Sequence, residues 1–310
     1  MNLLTISSLY VDFPTDDGLV RAVNGVDLSI KMNEVLGLIG ESGCGKSVLG
    51  LSVMRLLQED VILKGEILYC GKNLYSIEED AMRKLRGKEI GVILQNPGSS
   101  LNPGLTVGSQ IAEPIMLHKK VKGSLAIEMA EKLLGLVKIK EPRKRAKNYP
   151  HQFSGGMKER AVIAMGIASE PRFIIADEPT KGLDITVKRK IVRLLRDISE
   201  KNTMLIITHD LEVAEKVCNR VAVMYAGELV EIAPAALIFK NPLHPYTRGF
   251  FNSLPARGLK PIKGSSPSLI DPPKGCRFHP RCSYCSDRCK TEHPLMLEKN
   301  GRTVRCFLYA

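Results

Sequence analysis

Residues 40–47 read Gly40-Glu41-Ser42-Gly43-Cys44-Gly45-Lys46-Ser47, a glycine-rich loop that closes on a lysine and a hydroxyl. Glycines at this spacing let successive backbone N–H groups turn towards one anion, and a helix that starts at the lysine adds its positive dipole end. In such a loop Lys46 reaches the β- and γ-phosphates of a nucleotide, and Ser47 ligates Mg²⁺. The flanks match this chemistry: EVLGLIG before the loop is an apolar run of strand length, and VLGLSVMRLL after it is apolar on nearly all sides. The loop is therefore expected to bind a nucleoside triphosphate.

A second reactive group follows the apolar run FIIAD, where Asp177 and Glu178 emerge at the C-terminal edge of a strand. Open α/β sheets place their ligands at that edge. Asp177 is expected to help hold the Mg²⁺, and Glu178 is placed to polarise an attacking water. Acidic residues after a strand are common by themselves, and their meaning here comes from the phosphate loop. Between the two lies Phe153-Ser154-Gly155-Gly156-Met157. Ser154 is expected to cap the helix that follows. Ser-Gly-Gly at a helix start also offers a second phosphate-binding terminus, separate from the first.

The order GESGCGKS, Gln95, FSGGM, FIIADEP, Gly182-Leu183-Asp184 and Thr208-His209-Asp210 resembles the nucleotide-binding subunit of an ABC transporter, over residues 1 to about 240. The resemblance implies a P-loop NTPase fold whose domains pair head to tail, the Ser-Gly-Gly loop of one closing over ATP held by the phosphate loop of the other. It implies that Ser154, Gly155 and Gly156 touch ATP in trans and that Asp184 lines the dimer seam. It further implies that His209 holds the γ-phosphate and that Gln95 couples the Mg²⁺ site to a membrane partner. A strand-end histidine with no role is the plainer reading of His209. Phe13 stands where the family stacks an aromatic on adenine; Tyr10 competes for that role, and a core position on an alternating strand is the alternative. FSGGMKER and DEPTKGLD differ from the commoner LSGGMRQR and DEPTTALD at flanking positions only, so a hydrolytically competent ATPase is expected, with Lys46, Glu178 and His209 as its catalytic set.

Beyond the cassette, Asn241-Pro-Leu-His-Pro-Tyr-Thr247, then GCRFHPRC and VRC, resemble the oligopeptide/dipeptide and nickel importer ATPases. That resemblance implies two transmembrane permease subunits, a paralogous ATPase subunit or a second copy as dimer partner, and an extracytoplasmic substrate-binding protein acting through the permeases. It implies a peripheral position on the cytoplasmic face of the cell membrane and no nucleic acid. Peptides are the expected cargo, with nickel or another metal chelate as the alternative. A soluble ABC ATPase of a non-transport assembly is the alternative from another class. The tail spaces four cysteines as Cys276-x5-Cys282-x6-Cys289-x16-Cys306, with Cys285 inserted. Four thiolates suit Zn²⁺ or a 4Fe-4S cluster. Similar importer tails imply the 4Fe-4S cluster. Cys285 departs from a four-ligand pattern and could substitute for one of the four, and His279 and His293 are further candidate ligands. A metal-free tail, a structural staple and a sensor that gates the ATPase are the other readings.

The elements that must carry these groups follow from periodicity. Residues 1 to about 33 alternate apolar and polar around the turn-rich PTDDG, as an antiparallel hairpin or small sheet would. Residues from about 96 to 150 switch to a Gly/Pro-rich loop, NPGSSLNPG, and amphipathic helices, a helical insertion of the kind that receives the permease's coupling helix in such importers. Strands and helices then alternate to about residue 240, which implies a mostly parallel, helix-covered sheet. The expected fold is thus α/β, with an antiparallel β subdomain, the insertion, and a small Cys-rich module within 241–310.

Composition narrows the function classes. At 44% hydrophobic and 25% charged residues over 310, the chain can bury a sizeable core, which excludes wholesale disorder and a disulfide miniature. No window reaches the roughly 18 apolar residues of a membrane-spanning helix. The opening residues lack a signal-peptide pattern, so a cytosolic location is expected. The net charge of +12 is concentrated in the tail, with eleven Lys/Arg against four Asp/Glu from residue 257 on. Only 5% aromatics and no Trp argue against a base-stacking nucleic-acid binder.

Overall fold

A computed structural model describes residues 1–253 and 258–310. Residues 254–257 lie outside the described residues, and with them Arg257 of the basic tail.

β1 (Asn2–Thr15) and β2 (Gly18–Lys31) form the antiparallel hairpin that the alternation predicts. Leu4 and Ile6 are buried at even positions, Leu9 and Val11 at odd ones. The phase changes at a register shift between Ile6 and Leu9, where Ser8 takes φ 46°. A bulge there turns the second half of the strand so that its apolar residues return to the core face. β3 (Val35–Ile39) is buried at every residue, as a strand covered on both faces requires. It runs through the phosphate loop into α1 (Lys46–Met54). β4 (Ile62–Tyr69) and β5 (Lys72–Asn73) extend the hairpin to a four-stranded sheet in the order β2-β1-β4-β5.

α2 (Glu79–Leu85) and β6 (Ile90–Ile93) precede the helical insertion, built of α3 (Pro97–Ser100), α4 (Val107–Lys119), α5 (Gly123–Leu136) and α6 (Pro142–Ala146). α4 opens on Thr106, whose hydroxyl accepts the Ser109 N–H at 3.3 Å. α7 (Gly155–Gly166), β7 (Phe173–Asp177), α8 (Ile185–Ser199) and β8 (Thr203–Thr208) resume the α/β alternation. α8 buries Ile191, Leu194, Leu195 and Ile198 at helical spacing and leaves its Lys and Arg residues on the other face. α9 (Leu211–Val217), β9 (Arg220–Tyr225), β10 (Glu228–Pro234), α10 (Ala235–Lys240) and α11 (Pro245–Asn252) follow. The tail adds α12 (Asp287–Thr291), β11 (Leu297–Lys299) and β12 (Arg302–Val304).

The chain forms two compact units, residues 1–76 with 207–310, and residues 77–206. In the first, β3 pairs parallel with β9, which continues antiparallel through β10 and β12 to β11. In the second, β6 and β7 pair parallel, Ile90 opposite Phe173. The tail hairpin β11–β12 was not anticipated; its strands are short and polar, and it turns on Asn300 and Gly301, at φ 52° and 72°.

Candidate active site

In the first unit the phosphate loop presses against its neighbours at two glycines. A Cβ on Gly40 (φ 156°) would stand 2.1 Å from the Met224 carbonyl oxygen, and one on Gly45 (φ 103°) 2.1 Å from that of Ala22. Only glycine meets both the left-handed backbone and the close approach. Gly43 (φ 79°) has no such neighbour and needs glycine for conformation alone. Gly45 occupies the cap position of α1 without a side-chain cap. The first N–H groups of α1 are therefore not taken by a capping side chain, as an anion site requires. Lys46 is buried, and its Nζ donates to the carbonyls of Gly40 and Glu41, each at 2.9 Å. Ser42 and Gly43 are exposed, and Glu41 and Ser47 are half-buried. Burial pushes the buried Cys44 thiol up, against the pull of the Lys46 charge.

β8 ends on the buried Thr208, whose hydroxyl accepts the Asp210 N–H at 3.0 Å, while the Asp210 carboxylate caps α9 through the Glu212 N–H at 3.0 Å. His209 stands between these two braces with its side chain exposed. Phe13 is half-buried on β1 opposite Val20, and Tyr10 is exposed on the same strand.

In the second unit β7 carries Asp177, half-buried, and leads directly to Glu178, which is buried with φ 48°. A bulky residue in the left-handed region is uncommon and locally strained. Asp184 caps α8, one carboxylate oxygen accepting the N–H groups of Thr186 and Val187 at 2.9 and 3.0 Å. Gln95 is half-buried two residues beyond β6. Ser154 corrects an expectation: it occupies the cap position of α7, yet its side chain makes no capping bond. The N–H groups of Met157 and Lys158 both bond to the Ser154 carbonyl at 2.9 Å, so the Met157 N–H that a capping hydroxyl would take already has an acceptor. The hydroxyl is exposed beside Gly155. Gly156 is required within the chain, because a Cβ there would lie 2.5 Å from Val187 Cγ1. Gly155 is not, since no atom of the described residues comes within 4 Å of where its Cβ would be.

Sequence reasoning passed over Glu159, three residues on. It is 1% exposed, Oε1 has no hydrogen-bond partner among the described residues, and burial raises its carboxyl to about 8. The folded chain therefore keeps a proton that the unfolded chain releases near 4.5. Stability from this group is full below that value, falls as pH rises, and levels off above about 8. Glu159→Gln should remove the slope and stabilise the chain at alkaline pH by on the order of 3 kcal/mol. Urea unfolding of both proteins at about pH 5 and about pH 8.5 measures it, and parallel slopes would contradict it.

In the first unit, Cys276, Cys282, Cys289 and Cys306 line one cavity of about 100 Å³ together with His279 and Phe278. Burial, then the neighbouring thiols, push Cys276 up to about 12, and Cys282 and Cys306 rise for the same reasons. Cys285 is not among the lining residues and donates instead to the Ser286 carbonyl at 3.4 Å. His293 is also outside it, 2.9 Å from the Glu228 carboxylate. As they stand, no three His, Cys, Asp or Glu side chains among the described residues form a group that could hold a metal ion. No helix among them is long and apolar enough to cross a membrane.

The family profile described as ABC transporter matches residues 23–181, and that described as oligopeptide/dipeptide transporter, C-terminal region, matches residues 230–289. The chain is 43% identical to the oligopeptide transport ATP-binding protein AppD of Bacillus subtilis, covering 99% of this chain and 97% of the relative. It is 42% identical to the oligopeptide transport ATP-binding protein OppD of Escherichia coli, covering 98% and 93%. Among solved structures it is similar to the dimeric ATP-binding cassette MJ0796 bound to ADP and Pi, with TM-score 0.68 and 26% identity over 75% of this chain and 98% of that one. A phosphate loop built as an anion site, a cassette profile over half the chain and relatives matched nearly end to end agree: the chain belongs to the ABC transporter family.

Proposed function

We propose that this chain is the ATP-binding and ATP-hydrolysing subunit of an importer that takes up oligopeptides or dipeptides through partner permeases. The observation that carries the reading is the presence, in one chain, of the cassette and of the peptide-transporter C-terminal region at 230–289. Residues 1–240 act as the nucleotide-binding domain and 241–310 as its extension.

In this reading Lys46 and the loop N–H groups take the β- and γ-phosphates, and Glu178 orients the water and accepts its proton. Ser47, Gln95 and Asp177 hold Mg²⁺, which when bound neutralises charge on the phosphate oxygens. His209 holds the γ-phosphate, and Phe13 faces the adenine. Ser154, Gly155 and Gly156 close over the nucleotide of a second ATPase subunit, a paralogue. An exposed serine hydroxyl not engaged in capping, and a glycine with nothing near its missing Cβ, suit approach by a second chain. Ile185, 70% exposed beside Asp184, suits an apolar seam with the same partner. The assembly sits on the cytoplasmic face of the membrane beneath two permeases fed by an extracytoplasmic binding protein.

We take Cys276, Cys282, Cys289 and Cys306 as the ligands a 4Fe-4S cluster would use, with Zn²⁺ as the alternative: the four residues line one cavity, although their side chains as they stand are not gathered into a metal-holding group. Such a group supplies a cross-link that lets a short tail hold its fold. Pull-down of the tagged chain from gently solubilised native membranes tests both parts. Two permeases and a second ATPase are expected by mass spectrometry, with iron and labile sulfide in equal amounts in the eluate. Soluble enzymes or nucleic acid in place of permeases would overturn the transport reading, and zinc alone or no metal would overturn the cluster.

A further inference from the structure

Glu41, the second residue of the phosphate loop, is gripped at each of its polar groups. Its backbone N–H donates to the Tyr246 hydroxyl at 2.9 Å, and its carbonyl accepts from Lys46 Nζ at 2.9 Å. Its carboxylate receives a two-pronged bond from Arg281, Nη1 to Oε2 at 2.9 Å and Nη2 to Oε1 at 3.2 Å. The Ser266 hydroxyl donates to the same carboxylate. Three of these partners come from beyond residue 240.

The grip is built rather than incidental. The Arg281 side chain is 8% exposed and that of Glu41 24%, so the pair is largely withdrawn from water, where a forked ion pair is stronger than a surface one. Arg281 is braced in turn, its Nε donating to the Lys263 carbonyl at 3.2 Å and its guanidinium lying 5.7 Å from the Tyr225 ring centre. The Tyr225 and Tyr246 rings lie 4.5 Å apart, tilted by 48°, and Phe278 meets both edge-on at 5.2 and 5.5 Å. Phe278 and Cys282, on either side of the turn His279–Arg281, both line the cysteine cavity. A short chain of contacts thus runs from the cysteines to the phosphate loop, all within one compact unit.

We infer that Arg281 is a positioning residue for the phosphate loop, neutralising and fixing Glu41 so that the loop can accept a polyanion. The inference rests on residues 40–47 being the nucleotide site. A bare carboxylate on a loop that collects phosphate oxygens opposes binding, and the arginine removes that opposition while holding the backbone in place. The charge relation has a distinctive consequence. Loss of Arg281 uncovers the Glu41 charge, and removing that charge as well restores affinity. A strap acting only by mechanical attachment would leave the double variant as weak as the single one.

The test is binding of a fluorescent ATP analogue with Mg²⁺ to the purified full chain, read without turnover, alongside Tm. Arg281→Met should weaken binding about ten-fold, and Arg281→Met with Glu41→Gln should recover to within about three-fold of the wild type. Arg281→Lys, which keeps the charge and loses the fork, should fall between them and raise KM for ATP with kcat unchanged. Arg288→Met, in an exposed pair with Glu292 of the same segment, should bind as the wild type does. If Arg281→Met fails to fold, the Arg281→Lys kinetics decide. Wild-type affinity in Arg281→Met, a double variant as weak as the single one, or an unchanged KM in Arg281→Lys would overturn the inference. Failure of the wild-type chain to bind the analogue would instead contradict the nucleotide site itself.

Discussion

Glu178→Gln is expected to lower kcat for ATP about a thousand-fold, about 4 kcal/mol in the barrier, while Kd for Mg-ATP stays within about two-fold. The substitution keeps size and shape, so the buried turn at φ 48° after β7 is preserved. What is lost, in the proposed role, is the group that takes a proton from the attacking water. An interaction made only in the transition state lowers kcat without altering ground-state binding. Phosphate release under saturating ATP and equilibrium binding of the nucleotide, measured on the same preparation, separate the two quantities. A kcat within ten-fold of the wild type would remove Glu178 from the role of base.

Lys46→Ala should act at the other step. Its ammonium is buried and held by two carbonyls of the loop. Removing it takes away the proposed charge-assisted bond to phosphate and the donor that the Gly40 and Glu41 carbonyls accept from. Mg-ATP affinity should fall about a hundred-fold, about 3 kcal/mol, with ATPase activity lost in parallel. Calorimetric titration with Mg-ATP would show it; near-normal affinity would mean that residues 40–47 are not where the triphosphate sits.

Both predictions concern parts of the chain that were legible before any fold was known, for a physical reason. The phosphate loop is specified locally: glycine spacing, one lysine and one hydroxyl define an anion site whatever surrounds them. The β1–β2 hairpin was legible because alternation over 14-residue strands is a strong signal, even across the bulge at Ser8. The tail hairpin β11–β12 was missed because three-residue polar strands carry almost no periodicity, although Asn300-Gly301 is a turn signal that could have revealed it. Ser154 shows a limit of another kind. Residue type marks the cap position, but competition between its hydroxyl and its own carbonyl for the same N–H group is settled only by backbone geometry.

Contacts distant in sequence were the least legible. The spacing of five tail cysteines leaves open which of them lie together, whereas in the fold four line one cavity and Cys285 is not among them. The pairing of Arg281 with Glu41 joins residues 240 positions apart, and neither residue type nor spacing announces it. His293, a candidate ligand by type, is turned to the Glu228 carboxylate, which also accepts from Arg277 at 3.0 Å.

The central claim is that ATP hydrolysis by this chain moves peptides across a membrane. The most direct measurement is uptake of a labelled oligopeptide into vesicles that contain the complex recovered by pull-down, with its binding protein added and ATP supplied on the side of this chain. Wild-type complex should accumulate the peptide only when ATP is present, and the complex carrying Glu178→Gln should not accumulate it. Equal uptake by the two complexes, or uptake without ATP, would contradict the account.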